Sequence, residues 1–267
     1  MITLAYAGVD SSEWTLVGER QGAQGAEAQN VKGFVASPDT TVEARPARTG
    51  HVVSGFTVPP MTGTLDLTVS SQLVDGETRE LDEIFDALAL AWSPLVDGEL
   101  TWVSDRGVLM RTRARLASGG FPMPDRSPTE RAPGQPVRRV ALSLSVQCLD
   151  GLWIGPQSAP YTGAVQVLNA GDLDDYPRIE WVGSGATVSG LGIPEFTLPT
   201  TAVPAVWDTD PATGGLVTIA GQPATALRQQ MRGRVAPVPI EPGTTAPWTF
   251  TGCTAVVQPL FLNPWGR

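Results

Sequence analysis

Through much of the first half of the chain, apolar and polar residues alternate with a period of two. Ile2, Leu4 and Tyr6 alternate with Thr3, Ala5 and Ala7, and Trp14 to Val17 follows the turn Gly8 to Ser12, so an opening hairpin is predicted. Val52 to Val58 and Gly63 to Ser71 continue the strands. In the second of these, Leu65, Leu67 and Val69 face one way and Thr64, Asp66 and Thr68 the other, which describes one buried and one wet face. Glu99 to Ser104 and Val108 to Leu116 frame Asp105-Arg106-Gly107 as a further hairpin. Arg138 to Leu149 sets Val140, Leu142, Leu144, Val146 and Cys148 on one face, which makes Cys148 a core thiol. Helical spacing is clear only in Leu81, Ile84, Phe85, Leu88 and Trp92, predicting one amphipathic helix over 78–92 that lies on a sheet. Thr78 would cap it, Glu80, Asp82 and Glu83 sit where the dipole favours acids, and Ser93-Pro94 stops it.

Two stretches break the alternation. Gly18 to Gly33 is small, polar and glycine-punctuated, and is expected to be a long contact loop. Ala117 to Pro136 is interrupted by prolines throughout and is expected to be an arm reaching another molecule. The second half carries shorter strands: Arg178 to Val182, Thr187 to Ser189, Glu195 to Leu198, Ala205 to Asp208, Leu216 to Ala220, Trp248 to Thr251 and Ala255 to Pro259. Turn chemistry between them, as in Asp210 to Gly215, has the spacing of a small sandwich. Leu168 to Gly183 reads as the linker that ends in the first strand of the second domain. The expectation is a mainly β protein of two β-sandwich domains, 1–155 with one α-helix packed on a sheet and 156–267 without one.

Composition narrows the function. The formal charge is −9 with a pI near 4.6, which opposes the phosphate-neutralising surface of a nucleic-acid binder. No stretch approaches the length of a membrane span, and Met1 to Gly8 lacks the basic and long apolar regions of a signal peptide. Cys148 and Cys253 stand alone, which suggests neither a disulfide scaffold nor a zinc site and fits a reducing compartment. With His51 as the single histidine, imidazole-dependent nucleophile and metal schemes lose their base or ligand, and a lone histidine beside a strand is more often structural. Phosphate-binding, dinucleotide-binding and zinc-protease motifs are all missing. Asp172, Asp174 and Asp175 lack the ligand spacing of a calcium loop and read as a solvated acidic turn. Glu180, Asp208 and Asp210 could converge for glycoside hydrolysis, and Trp207 with Trp248 could form a sugar-stacking platform, although nothing in the pattern singles either set out. No catalytic residue, metal site or cofactor is assigned.

Basic residues are almost all arginine, Lys32 being the lone lysine. Arg111, Arg113 and Arg115 fall on one strand face, where they repel unless water or carboxylates face them. A solvated face with acidic partners across the strands is the plainer reading; an interface with a neighbouring subunit is the alternative. Arg126 and Arg131, in the 117–136 arm, complete the set of subunit-interface candidates.

Four stretches in order carry a resemblance: Asn169 to Gly183, Trp207 to Gly221, Pro242 to Gly252 and Pro259 to Arg267. Together they resemble the C-terminal half of the distal tail proteins of long, non-contractile-tailed phages, the minor tail proteins of phages of actinobacteria. Gly8 to Gly18, a glycine-punctuated loop and one helix between strands are similar to that family's N-terminal half. The resemblance implies a galectin-like second domain and a structural, non-enzymatic virion protein made in the host cytoplasm. It further implies a homo-hexameric ring at the tail tip that joins the tail tube protein to the hub or tail-associated protein and to receptor-binding proteins. Another tube or hub component, or a galectin-like carbohydrate-binding protein, is the alternative. Some members bind carbohydrate through insertions in the second domain; the compact second half here leads to an expectation of no strong glycan binding.

Overall fold

In the computed structural model, residues 1–44, 51–117, 119–123, 139–191, 193–231 and 238–265 are described. The chain is mainly β, as the alternation predicts, and forms two compact units. One unit is Met1–Ile154 joined by the C-terminal residues from Leu262; the other is Gly155–Phe261.

The first unit contains β1 (Thr3–Ala7), β2 (Glu13–Val17), β3 (Ala26–Gly33), β4 (Asp39–Ala44), β5 (His51–Thr57), β6 (Met61–Ser70), α1 (Leu81–Ala91), β7 (Gly98–Val103), β8 (Leu109–Leu116), β9 (Arg139–Cys148) and β10 (Trp153–Ile154). Antiparallel pairing runs in the order β2-β1-β7-β8-β9-β6-β3, with β10 on β8. The middle of this path is thin. β8 meets β9 only through Arg115↔Gln147 and Leu116↔Val146, whereas β6 and β9 pair over ten residues. The two halves are thus joined by a short seam and enclose one apolar interior, a sandwich. Every second side chain of β6 and β9 faces that interior: Leu65, Leu67, Leu144 and Val146 are at most 1 % exposed. At the end of the unit, the Ala36 amide donates to the Leu262 carbonyl at 2.8 Å, and Trp265 meets Trp102 edge-on at 4.3 Å.

Helix α1 is shorter than the predicted 78–92. Thr78 does not cap it, because Thr78 bridges Gln72 and the Arg79 amide donates to the Ser71 carbonyl, so the chain stays extended to Glu80. At the other end Trp92 turns extended and stacks on Tyr6 with centroids 3.6 Å apart. The Tyr6 hydroxyl donates to the Ala91 carbonyl at 3.0 Å, fixing the helix terminus to β1. Leu81, Ile84, Phe85 and Leu88 are buried, as the period requires.

The long loop expected over 18–33 is corrected: its second half is β3. That strand lies at the end of the sheet path, pairs only with β6, and carries a bulge between Ala28 and Asn30. An edge strand needs few apolar residues, which is why its composition read as loop. Of the proline-rich arm, residues 118 and 124–136 lie outside the described residues; Phe121 packs edge-on against Phe85 at 5.3 Å.

In the second unit are β11 (Tyr161–Leu168), β12 (Arg178–Gly183), β13 (Thr187–Gly190), β14 (Ile193–Thr197), β15 (Thr201–Asp208), β16 (Val217–Ile219), β17 (Gln222–Pro223), α2 (Thr225–Met231) and β18 (Thr245–Val256). Two expected strands at Trp248 to Thr251 and Ala255 to Pro259 are in fact one. β18 runs through Gly252, whose φ of 65° changes which side chains face inward without ending the pairing. On one side it pairs with β11; on the other with β13 at Thr249 and β12 at Ala255, successive along its length. β14 continues from β13, and β15, β16 and β17 from β12. One core binds both parts, built on Trp181, Trp207, Trp248 and Phe250. Helix α2 was not expected; only Met231 on it is fully buried, a stripe too narrow to register as helical period.

Candidate assembly surfaces

Strand β8 presents its arginines outward because the alternate residues Met110, Thr112, Ala114 and Leu116 are committed to the interior. Arg113 and Arg115 are engaged within their own chain. Arg113 Nε donates to both oxygens of Asp150 at 3.1 Å, and Arg115 Nε donates to Asp97 Oδ1 at 2.6 Å. Hydrogen bonding from Arg113 holds the Asp150 carboxyl below the usual carboxylate range, and each guanidinium is pushed up by its acid. Arg111 is exposed, stands across from Thr101 and Ile154, and has no ion pair among the described residues. Arg126 and Arg131 lie outside the described residues.

A surface that the sequence pattern missed is the β4–β5 hairpin. Among the described residues Asp39–Ala44 and His51–Thr57 pair only with each other, forming a two-stranded sheet separate from the larger ones. Phe56 on it is 48 % exposed. In the last turn of helix α1 and just beyond it, Leu90, Leu95 and Val96 are exposed by 70, 82 and 55 %, large apolar residues near one helix terminus.

Leu168 to Gly183 is not a linker. β11 precedes it in the second unit, and the stretch is locked into that unit by Asn169, which is fully buried. Asp175 is likewise turned inward, at 8 % exposure, and pairs main chain to main chain with Ile240. The solvated acidic turn expected there is corrected for this residue. Burial first, with Asp210 and Asp208 adding to it, pushes the Asp175 carboxyl up to about 6, against opposing hydrogen bonds from the Tyr176 and Gln258 amides.

Neither chemical alternative assembles. Trp207 and Trp248 are 4 % and 2 % exposed and belong to the core, so they offer no sugar platform. The open hollow of about 700 Å³ beside Trp248 is lined by a mixture of small and larger side chains, Ala164, Gln166, Ser189, Leu191 and Glu195 among them. Asp208 accepts from the Asp210 amide at 3.0 Å and Asp210 from the Ala212 amide at 2.8 Å, so both brace a turn rather than face Glu180. Among the described residues no three His, Cys, Asp or Glu side chains gather as a metal site. Cys148 is fully buried, and burial pushes its thiol up to about 12.

No family model and no curated protein sequence matches the chain. Among solved structures it is similar to the Dit protein (gp 19.1) of phage SPP1, described as a paradigm of the hub adsorption apparatus in phages infecting Gram-positive bacteria. The identity is 16 %, the TM-score 0.58, and the match covers 98 % of this chain and 99 % of that one. It is also similar to a chain of the phage P2 baseplate in its activated conformation with Ca, at 9 % identity and TM-score 0.46, covering 97 % and 98 %. The overall arrangement of strands is therefore that of a Dit fold over nearly the whole of both chains.

Proposed function

We propose that this chain is a structural protein of a phage tail tip, forming a six-fold ring that connects the tail tube to the hub and receptor-binding apparatus. The observation that carries the reading is the full-length fold likeness to SPP1 Dit, whose structure is described as that of a hub adsorption apparatus. Residue chemistry is consistent with an assembly role: the conspicuous features are surfaces rather than a convergent set of reacting groups. A two-stranded hairpin gains stability from a third strand or an apolar neighbour, and β4–β5 has no third strand among the described residues. In the ring it packs against the adjacent subunit, and Arg111, the β8 guanidinium without an acid among the described residues, meets a carboxylate there. The ring channel carries acidic residues, so DNA passes without sticking.

The test is the solution mass of the purified full chain by light scattering, with negative-stain imaging of each species. Six-membered rings are the expected result. Chains that stay monomeric at every concentration and fail to join purified tail tubes or hubs would overturn the reading.

A further inference from the structure

The second unit leaves one long strand edge unguarded. Natural sheets protect their edges with proline, charge, bulges or brevity. β14 carries Pro194 and Glu195, β17 is the two residues Gln222–Pro223, and β3 has Glu27, Lys32 and a bulge. The outer side of β2 is occupied, since the Thr15 amide donates to Gln24 Oε1 and its carbonyl accepts from Gly22. β11 is irregular only at its start, between Tyr161 and Gly163; from Gly163 to Leu168 it has none of these devices, pairs among the described residues only with β18, and holds neither proline nor charge. Not one charged residue occurs from 151 to 171, in a chain of net charge −9.

The ladder shows which main-chain groups are free. Asn169 donates its amide to the Thr244 carbonyl, and Pro247, opposite Gln166, has no N–H to give. Antiparallel pairing alternates, so Val165 and Val167 turn their main-chain groups to β18, while Ala164, Gln166 and Leu168 turn theirs away. Side chains alternate as well. Val167 is buried in the core and Val165 packs against it only partly covered, while Ala164, Gln166 and Leu168 are exposed on the other face.

We propose that β11 is a strand-pairing edge whose occupant is β11 of a second copy, antiparallel about a two-fold axis at Gln166. This register is self-complementary at every position. Gln166 faces its own counterpart, where the two amide side chains bond each other. Leu168 covers Ala164 of the other copy. On the core side Val165 meets the second Val167, a β-branched pair that completes the exposed flank of the interior. The three outward residues of each strand supply six main-chain hydrogen bonds, and no like charges oppose. Such a contact is isologous, unlike the heterologous contacts that close a ring, so it stands or falls independently of the ring. Two short strands bury less than the ~1,200 Å² of a stable interface, so the pairing depends on concentration.

Light scattering of the full chain over its attainable concentration range tests this against three variants. Gln166→Lys sets two cations opposite each other on the axis, Gln166→Glu two anions, and Ala164→Pro removes an outward amide without touching the β18 ladder. The wild type should reach twice the mass of each variant, whatever the size of the underlying assembly. Mixing Gln166→Lys with Gln166→Glu should restore the doubled mass, which a misfolded variant could not do. A wild type that never exceeds the mass of Gln166→Lys at the highest concentration overturns the proposal. So does a lysine–glutamate mixture that stays at the single mass.

Discussion

The side-chain amide of Asn169 donates to the Ile240 carbonyl at 2.7 Å, across seventy-one residues of sequence. The same nitrogen donates to the Leu173 carbonyl at 2.8 Å, and Oδ1 accepts from the Gly171 amide at 2.8 Å. One fully buried side chain therefore bonds three main-chain groups. Replacing it with alanine leaves the Gly171 amide and the Leu173 carbonyl without this partner and takes one of two bonds from the Ile240 carbonyl, which keeps the Asp175 amide, so Asn169→Ala should cost about 3 kcal/mol in denaturant unfolding. Asn169→Asp keeps the acceptor, loses both donated bonds and adds a buried charge, and should be worse. A loss below about 1 kcal/mol would mean that the loop is held by other contacts.

Asp175, a few residues on, makes stability depend on pH. Its folded value of about 6 lies above the ordinary 3.8, so the folded state binds the proton more tightly than the unfolded chain does. Below 3.8 both states are protonated and burial carries no ionic penalty. As pH rises from about 4 through about 6 the folded state is progressively destabilised, by about 3 kcal/mol once the carboxyl is fully ionised. Asp175→Asn is neutral at every pH, so it should unfold at a higher temperature than the wild type at pH 8. The difference should vanish near pH 4. Equal melting temperatures at pH 8 would refute the buried-charge account.

Periodicity made most of the first unit legible, because a strand with one wet face writes its burial into every second residue, as β6 and β9 do. It failed where burial is incomplete. β3 and β11 are edge strands, and neither shows a regular buried–exposed alternation along its length. β18 shifts phase at Gly252, so it read as two strands. The helix was found from its apolar face, yet its start was misjudged because Thr78 is held by the preceding bridge to Gln72. The arginine face was visible, whereas its acids were not: Asp150 is thirty-seven residues from Arg113, and only pairing brings them together. Asn169 and Asp175 looked like solvent-facing turn residues, and nothing local distinguishes a turn on the surface from one packed inside.

The three β8 arginines should separate by experiment. Arg115→Ala leaves Asp97, whose side chain is only 19 % exposed, without its partner and should lower the melting temperature of the isolated chain. Arg111→Ala removes an exposed cation that meets no acid among the described residues, and should leave that temperature unchanged. If the proposed ring uses Arg111, the same variant should weaken assembly while folding normally. A parallel drop in melting temperature for both variants would place Arg111 in an intramolecular role.

Both thiols should be inert in the native protein. Burial pushes Cys148 up to about 12 and Cys253 up to about 11, and Cys253 Sγ also donates to the Thr187 carbonyl at 3.3 Å. The thiolate is the reacting species, so neither should be alkylated by iodoacetamide at pH 8 until the chain unfolds. Rapid labelling of either cysteine in the folded protein would show that its side chain reaches solvent.

Close packing between backbone and indole gives the sharpest test of the second core. A Cβ added at Gly190 would lie 2.4 Å from ring carbons of Trp248, nearer than atoms approach without displacement. That indole is 2 % exposed and stacked parallel to Phe250 at 5.7 Å, so it has little room to retreat. Gly190→Ala should therefore destabilise the protein by about 1–3 kcal/mol through overpacking, although alanine favours a strand no less than glycine does. Restoring space with Trp248→Phe in the Gly190→Ala background should recover part of the loss, since the smaller ring also removes an indole N–H that is buried without a partner. If the double variant is less stable than the sum of the two single changes, the strain lies in the β13–β18 pairing and not in the ring contact.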